Sequence, residues 1–260
     1  MPLFNVKSYY SSVLKRNLSA NVFLPSKVIS NSKLTVITLL HGICGDCNDW
    51  IYNTNALMAA EKGGFAVIMP QGDNGFYLNS ELGRYCDNII ELIDKCAGWF
   101  GFSQDSENNA IAGLSMGGYG ALSIGMKYWS RYDTIGSFSG IVDVKKHHER
   151  FKVTPENEWA VKNAQKVFPE EYYGTDFDLE HLLGKIPQAK QQNIYMYCGS
   201  KDRMYNDNIE LFEKIKERYP TSLFEESDAA HSWSAWNYAF ERFTIYLTSL
   251  KEQSEKALEE

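Results

Sequence analysis

An α/β architecture, with a mostly parallel central sheet and helices on both faces, is what the sequence predicts, and three observations carry it. Apolar runs of strand length alternate with amphipathic stretches of helix length through most of the 260 residues, the pattern of repeated strand–helix units. The run LTVITLL at 34–40 carries no charge, as suits a strand covered on both faces. Residues 108–129, NNAIAGLSMGGYGALSIGMKYW, place an apolar run, a glycine-framed serine and a helical stretch in direct succession.

The elements follow in order. Residues 9–14 and 20–24 are β-type patches around the polar turn Lys15-Arg16-Asn17, which suggests an antiparallel opening of the sheet. The strand at 34–40 comes next, then His41-Gly42-Ile43, the loop CGDCNDW and a helix around 55–61. A strand at 66–69 stops at Pro70, and the loop QGDNGFYLNS behind it is rich in turn formers and aromatic residues, as loops that line a site often are. Residues 86–98 put Ile89, Ile90, Ile93 and Ala97 on one helical face. After the serine segment a strand at 134–139 reaches Gly140 and Asp143. Residues 144 to about 190, charged and aromatic, with prolines at 155, 169 and 187, read as an excursion covering the site. The pattern resumes with a strand at 193–198, a helix at 206–219 and a short strand at 222–225. It ends in a helix marked by Trp236, Phe240, Phe243, Leu247 and Leu250, with a frayed charged tail beyond Lys251.

Composition narrows the possible functions. With 44% hydrophobic residues the chain can bury a full core, and one domain over 1–260 is expected, its excursion lying over the site like a cap. No run approaches the roughly 20 apolar residues of a membrane span, and MPLFNVKSYYSS lacks the features of a signal peptide. The expectation is a cytoplasmic protein with no membrane partner. Five cysteines fit reduced thiols, and the C-x-x-C of Cys44 and Cys47 lacks the second ligand pair of a zinc site, so neither metal nor cofactor is expected. A net charge of −7 argues against a nucleic-acid partner. The basic cluster Lys145, Lys146, Arg150 and Lys152, broken by Glu149, reads as a solvated face. Assembly into a homo-oligomer is compatible with these features.

Gly113-Leu114-Ser115-Met116-Gly117 fits G-x-S-x-G, the nucleophile elbow, in which a strand turns sharply into a helix with the serine at the apex. A serine that merely caps the helix would fit the same turn, so the partners matter. A serine hydroxyl needs a base to take its proton, and the base needs an acid to hold its tautomer. In an α/β hydrolase these follow the serine in the order acid, histidine. Asp202 lies directly beyond the strand at 193–198, and His231 opens the loop before the last helix. Asp143, also behind a strand, is the competing acid. Asp207 would lie inside a helix, and Asp228 is three residues from the histidine. His147, His148 and His181 fall in the excursion and read as surface histidines, while His41 precedes the serine. The backbone N–H of Met116, and that of Ile43 in the HG turn, are the candidate donors to an oxyanion. Trp50, Phe76, Tyr77 and Trp233 are candidates for the substrate pocket, although each could equally belong to the core.

HGICGDCNDW, the DNG-aromatic loop, GLSMGGYGAL, CGSKD and AHSWSAW together resemble the esterase D family of α/β hydrolases, in particular its bacterial tributyrin-esterase-like branch. The resemblance runs from Phe4 to about Leu250. It implies an α/β-hydrolase fold, Ser115 as nucleophile, Asp202 as acid, His231 as base and the amides of Ile43 and Met116 as oxyanion donors. The implied activity is that of a serine carboxylesterase acting on a small-molecule ester through an acyl-enzyme. The family also includes S-formylglutathione hydrolases, feruloyl and acetylxylan esterases and mycolyltransferases, so hydrolysis and acyl transfer both stay open. GLSMGGYG is closer to the simple esterases than to the GHSMGGHG of the formylglutathione enzymes. The charged segments KKHHERFK and PEEYYGTDFD of the excursion suggest a poor wall for a long aliphatic tail, hence short acyl chains of about two to six carbons, because burying unpaired charge is costly.

Overall fold

The computed structural model describes residues 2–26, 34–150 and 158–259. Ten strands and nine helices occur among them: β1 (Leu3–Ser11), β2 (Arg16–Phe23), β3 (Val36–Leu40), α1 (Asp49–Asn53), α2 (Ala56–Gly63), β4 (Ala66–Pro70), β5 (Asn79–Ser80), β6 (Gly83–Arg84), α3 (Tyr85–Phe100), β7 (Asn109–Leu114), α4 (Met116–Lys127), β8 (Thr134–Phe138), α5 (Val144–Arg150), α6 (Glu158–Val167), α7 (Leu179–Lys185), β9 (Asn193–Gly199), α8 (Tyr205–Arg218), β10 (Leu223–Ser227) and α9 (Trp233–Glu259). The main sheet has the order β1-β2-β4-β3-β7-β8-β9-β10. β1 and β2 are antiparallel to each other, and β2 is antiparallel to β4. The six strands from β4 to β10 in that order run parallel. Their carboxyl ends therefore share one sheet edge, where ligands bind in open α/β sheets.

The two-residue period of a strand decides which core each side chain joins. In β7, Ala110, Ala112 and Leu114 pack with α2 and α9, whereas Ile111 packs with α4 and α8. β9 divides likewise: Tyr195 and Tyr197 meet the α9 side, Ile194, Met196 and Cys198 the α8 side. A strand facing apolar layers on both sides has no polar face, which explains its unbroken apolar run. On α9, Trp236, Phe240, Phe243 and Leu247 are all buried, and each contributes about 1.5–3 kcal/mol through burial.

The antiparallel opening forms as expected, with its turn nearer residues 12–15 and its strands longer than the β-type patches. Helix α1 and the small β5/β6 hairpin are additions. The tail is a correction: α9 continues to Glu259, and the Lys, Glu, Ala and Leu of this stretch are all strong helix formers. No helix among the described residues is long and apolar enough to cross a membrane.

Candidate active site

The centre of the sheet edge is a strained turn. β7 ends at Leu114, α4 begins at Met116, and Ser115 between them sits at φ 52, ψ −116. Such backbone costs a non-glycine residue about 1–3 kcal/mol and persists only where its surroundings enforce it. Ser115 N–H donates to Phe138 O at 2.9 Å, and Ser115 O accepts from the N–H groups of Gly118 (3.0 Å) and Ile141 (3.3 Å). The flanking glycines are needed for space. A Cβ on Gly113 would lie 2.4 Å from Gly117 O, and one on Gly117 2.6 Å from the carbonyl oxygens of Leu40 and His41.

Two loops bring partners to this apex. Asp202 follows β9, and His231 lies between β10 and α9. His231 Nε2 is 3.0 Å from Ser115 Oγ, and His231 Nδ1 is 2.8 Å from Asp202 Oδ2. A carboxylate can only accept, so the ring proton sits on Nδ1 and Nε2 is left to accept from the serine hydroxyl. The Asp202 side chain is fully buried. Burial alone would raise its pKa, but the hydrogen bond and charge of His231, the Met204 N–H at 3.0 Å and the Ser139 hydroxyl outweigh that and hold it below the usual carboxylate value. Trp236 sets its ring edge-on to the imidazole, with centroids 4.8 Å apart.

Met116 opens α4, so its N–H has no acceptor within the helix. Ile43 stands in the turn after β3 and lines, with Ser115 and His231, a cavity of about 440 Å³. Its walls are mixed, with Phe76, Leu114, Ile141, Val144, Ala160 and Ala164 supplying the apolar part. Asp49, Asn53 and Arg203 add polar groups. A hydroxyl activated by an imidazole–carboxylate pair, next to a helix N-terminus and a cavity, is equipped for acyl transfer.

The model of the family described as "Putative esterase" matches residues 11–247. The chain belongs to the esterase family. It is 32% identical to an acetyl esterase of Caldicellulosiruptor saccharolyticus over 250 residues, covering 88% of this chain and 92% of the relative. Among solved structures, fluorophosphonate-binding serine hydrolase F of Staphylococcus aureus superposes with a TM-score of 0.83 at 22% identity, over 95% of this chain and 98% of that one. An S-formylglutathione hydrolase of the same organism gives 0.79 at 24% identity, over 95% and 100%. This esterase is thus a serine hydrolase of the α/β-hydrolase fold, with carboxylic-ester hydrolysis as its activity class.

In the esterase, Ser115, Asp202 and His231 come together, and Ile43, Phe76 and Trp233 line the cavity beside them. Two pocket candidates are corrected. Trp50 and Tyr77 are buried in the core, and their polar ends brace backbone at the end of β3: Trp50 Nε1 donates to Leu40 O at 3.0 Å, Tyr77 Oη to His41 O at 3.0 Å. An aromatic side chain with a polar tip suits such a position as well as a pocket wall. The competing acid Asp143 accepts from the hydroxyls of Tyr172 and Tyr173, both at 3.0 Å, and from Lys146 N–H. His147, read as a surface histidine, lies on the cavity wall; its helix α5 has no periodicity in sequence that would orient it. Charge from the excursion, expected to wall the site, does not line the cavity among the described residues. α5 and α6 offer the cavity Val144, Ala160 and Ala164 along with His147, while Lys145 and Lys146 pair with Glu171 and Glu210. Lys152 and the side chains of His148 and Arg150 lie outside the described residues.

Proposed function

We propose that the esterase cleaves short-chain acyl esters, of about two to six acyl carbons, through a Ser115 acyl-enzyme. The hydrogen-bonded line from Ser115 through His231 to Asp202, opening on a cavity with an aromatic and aliphatic side, carries this reading. In it, His231 takes the serine proton and later returns it to the leaving alcohol, Asp202 fixes the tautomer and offsets the imidazolium charge, and the N–H groups of Ile43 and Met116 hold the oxyanion. The resemblance to the tributyrin-esterase-like branch of the esterase D family agrees, as does the acetyl specificity in the name of the C. saccharolyticus relative.

The aromatic side of the cavity supports the short chain length. Phe76 lines the cavity with its ring packed edge-on against Phe168 (5.1 Å between centroids) and Tyr119 (6.1 Å), so an acyl tail meets a braced aromatic wall. Lengthening the tail would force that packing apart, at a cost typical of overpacking, about 1–3 kcal/mol. A thioester reading keeps one support besides the named S-formylglutathione hydrolases: Arg203 on the cavity wall suits a leaving group that carries carboxylates. Five unpaired cysteines support a reducing, cytoplasmic setting.

Measuring kcat/KM for p-nitrophenyl esters from acetyl to decanoyl, with S-formylglutathione alongside, tests the reading. The expected profile peaks at or below hexanoyl. A rise towards octanoyl or decanoyl contradicts it, and a dominant thioester rate would move the natural substrate to the glutathione class.

A further inference from the structure

The turn that carries Ile43 is braced from outside the triad. The peptide between Gly42 and Ile43 is held at its carbonyl: Gly42 O is 2.7 Å from His41 Nδ1 and accepts Gly45 N–H at 3.2 Å. His41 is buried, and burial lowers its pKa, so the ring is neutral. Gly72 N–H donates to its Nε2 at 2.9 Å, which leaves the proton on Nδ1 to donate to Gly42 O. In a planar trans peptide the N–H points opposite to the carbonyl, so these contacts set the direction of Ile43 N–H.

The next peptide, between Ile43 and Cys44, is held at its other side. Cys44 N–H donates to Asn74 Oδ1 at 2.8 Å. Cys44 itself sits at φ 63, in the left-handed region that favours glycine. Rotation of the Ile43–Cys44 peptide would relieve that strain by changing ψ of Ile43 and φ of Cys44, and it would reshape the turn whose Gly45 N–H anchors Gly42 O. Asn74 is anchored in turn, because its carbonyl oxygen accepts from Asn163 Nδ2 at 2.8 Å, on the same helix α6 whose Ala160 and Ala164 line the cavity.

We propose that Asn74 is a positioning residue for the oxyanion site: its side-chain oxygen holds Cys44 N–H and so keeps a strained turn in the shape that presents Ile43 N–H to substrate. The inference rests on the reading of Ile43 N–H as an oxyanion donor. Asn74 thereby joins the oxyanion turn to the helix over the cavity.

The test is steady-state kinetics on p-nitrophenyl acetate together with thermal melts. Asn74→Ala is expected to lower kcat about 10- to 100-fold with KM within about twofold, as for a misplaced oxyanion donor. Asn74→Asp keeps an acceptor oxygen and should stay within about threefold of wild type. The deciding variant adds Cys44→Gly to Asn74→Ala. Glycine takes the left-handed conformation freely, so kcat should recover roughly fivefold or more at unchanged Tm. A role in folding alone would lower Tm and show no such recovery. Wild-type kcat in Asn74→Ala, or no recovery in the double variant, overturns the inference. If Asn74→Ala does not fold, Asn74→Ser, whose hydroxyl is too short to reach Cys44 N–H, is read in the same way. Ser115→Ala separates the two levels: if it is inactive while Asn74→Ala is fully active, this inference alone fails, and if it is fully active the catalytic reading falls and takes this inference with it.

Discussion

His231 is held at both ring nitrogens, by a buried carboxylate at 2.8 Å and the Ser115 hydroxyl at 3.0 Å. Replacing the acid by its amide lets Asp202→Asn donate to Nδ1, which favours the wrong tautomer. Asp202→Asn is therefore expected to lower kcat by about 10⁴ with Tm close to wild type. Asp143→Asn should keep its activity, because Asp143 is engaged by Tyr172 and Tyr173. The two kcat values on p-nitrophenyl acetate check this, and the reverse pattern would move the acid to Asp143. At this scale the grouping of Ser115, His231 and Asp202 was legible because the proposed chemistry fixes residue type, chain order and position after a strand. Trp50 and Tyr77 were not, since burial and hydrogen bonding place the same aromatic types in a core or a pocket wall. Nor was Asn74, whose role depends on a contact with Cys44 that no spacing reveals.

Helix α3 and the β1–β2 hairpin are joined through one carboxylate. Glu91 accepts from the hydroxyls of Ser11 and Ser12 and from the N–H groups of Ser12 and Val13. Burial pushes its pKa up, but these donors, Ser12 foremost, bring it down from 4.5 to about 2. A carboxyl whose folded pKa is depressed contributes stability in full above its unfolded value, and that contribution is lost as the pH falls towards the folded one. Glu91→Gln keeps an acceptor but loses the charge, so a cost of about 1 kcal/mol, or roughly 2–4 °C in Tm, is expected at pH 7. The gap should narrow as the pH drops below 4.5. Melts of both proteins at pH 7, 4 and 3 check it, and a constant gap would remove the charge from the explanation. Elements of this scale were legible where an apolar run is unbroken, as in β3 and β7, or where a helical period runs long, as in α9. α1, of five residues, is too short to show a period. Its Trp50 is placed by the core rather than by local propensity.

The assembled molecule puts three loops, from the ends of β7, β9 and β10, at one sheet edge, and lays α5 and α6 along the cavity they open into. The parallel sheet was legible from alternating strands and helices. The direction in which the excursion turns its charges was not. Lys145 and Lys146 find acidic partners while Val144, Ala160 and Ala164 meet the cavity, an outcome that depends on packing between distant segments. The proposed short-chain preference therefore rests on the braced ring of Phe76. The central claim is that Ser115 carries the acyl group. Treating the esterase with a fluorophosphonate, following residual activity and mapping the adduct by peptide mass spectrometry tests it most directly. One adduct per chain on the peptide containing Ser115, formed in step with loss of hydrolysis, with Ser115→Ala neither labelled nor active, is the predicted result; an adduct on another residue, or hydrolysis by Ser115→Ala at the wild-type rate, would contradict it.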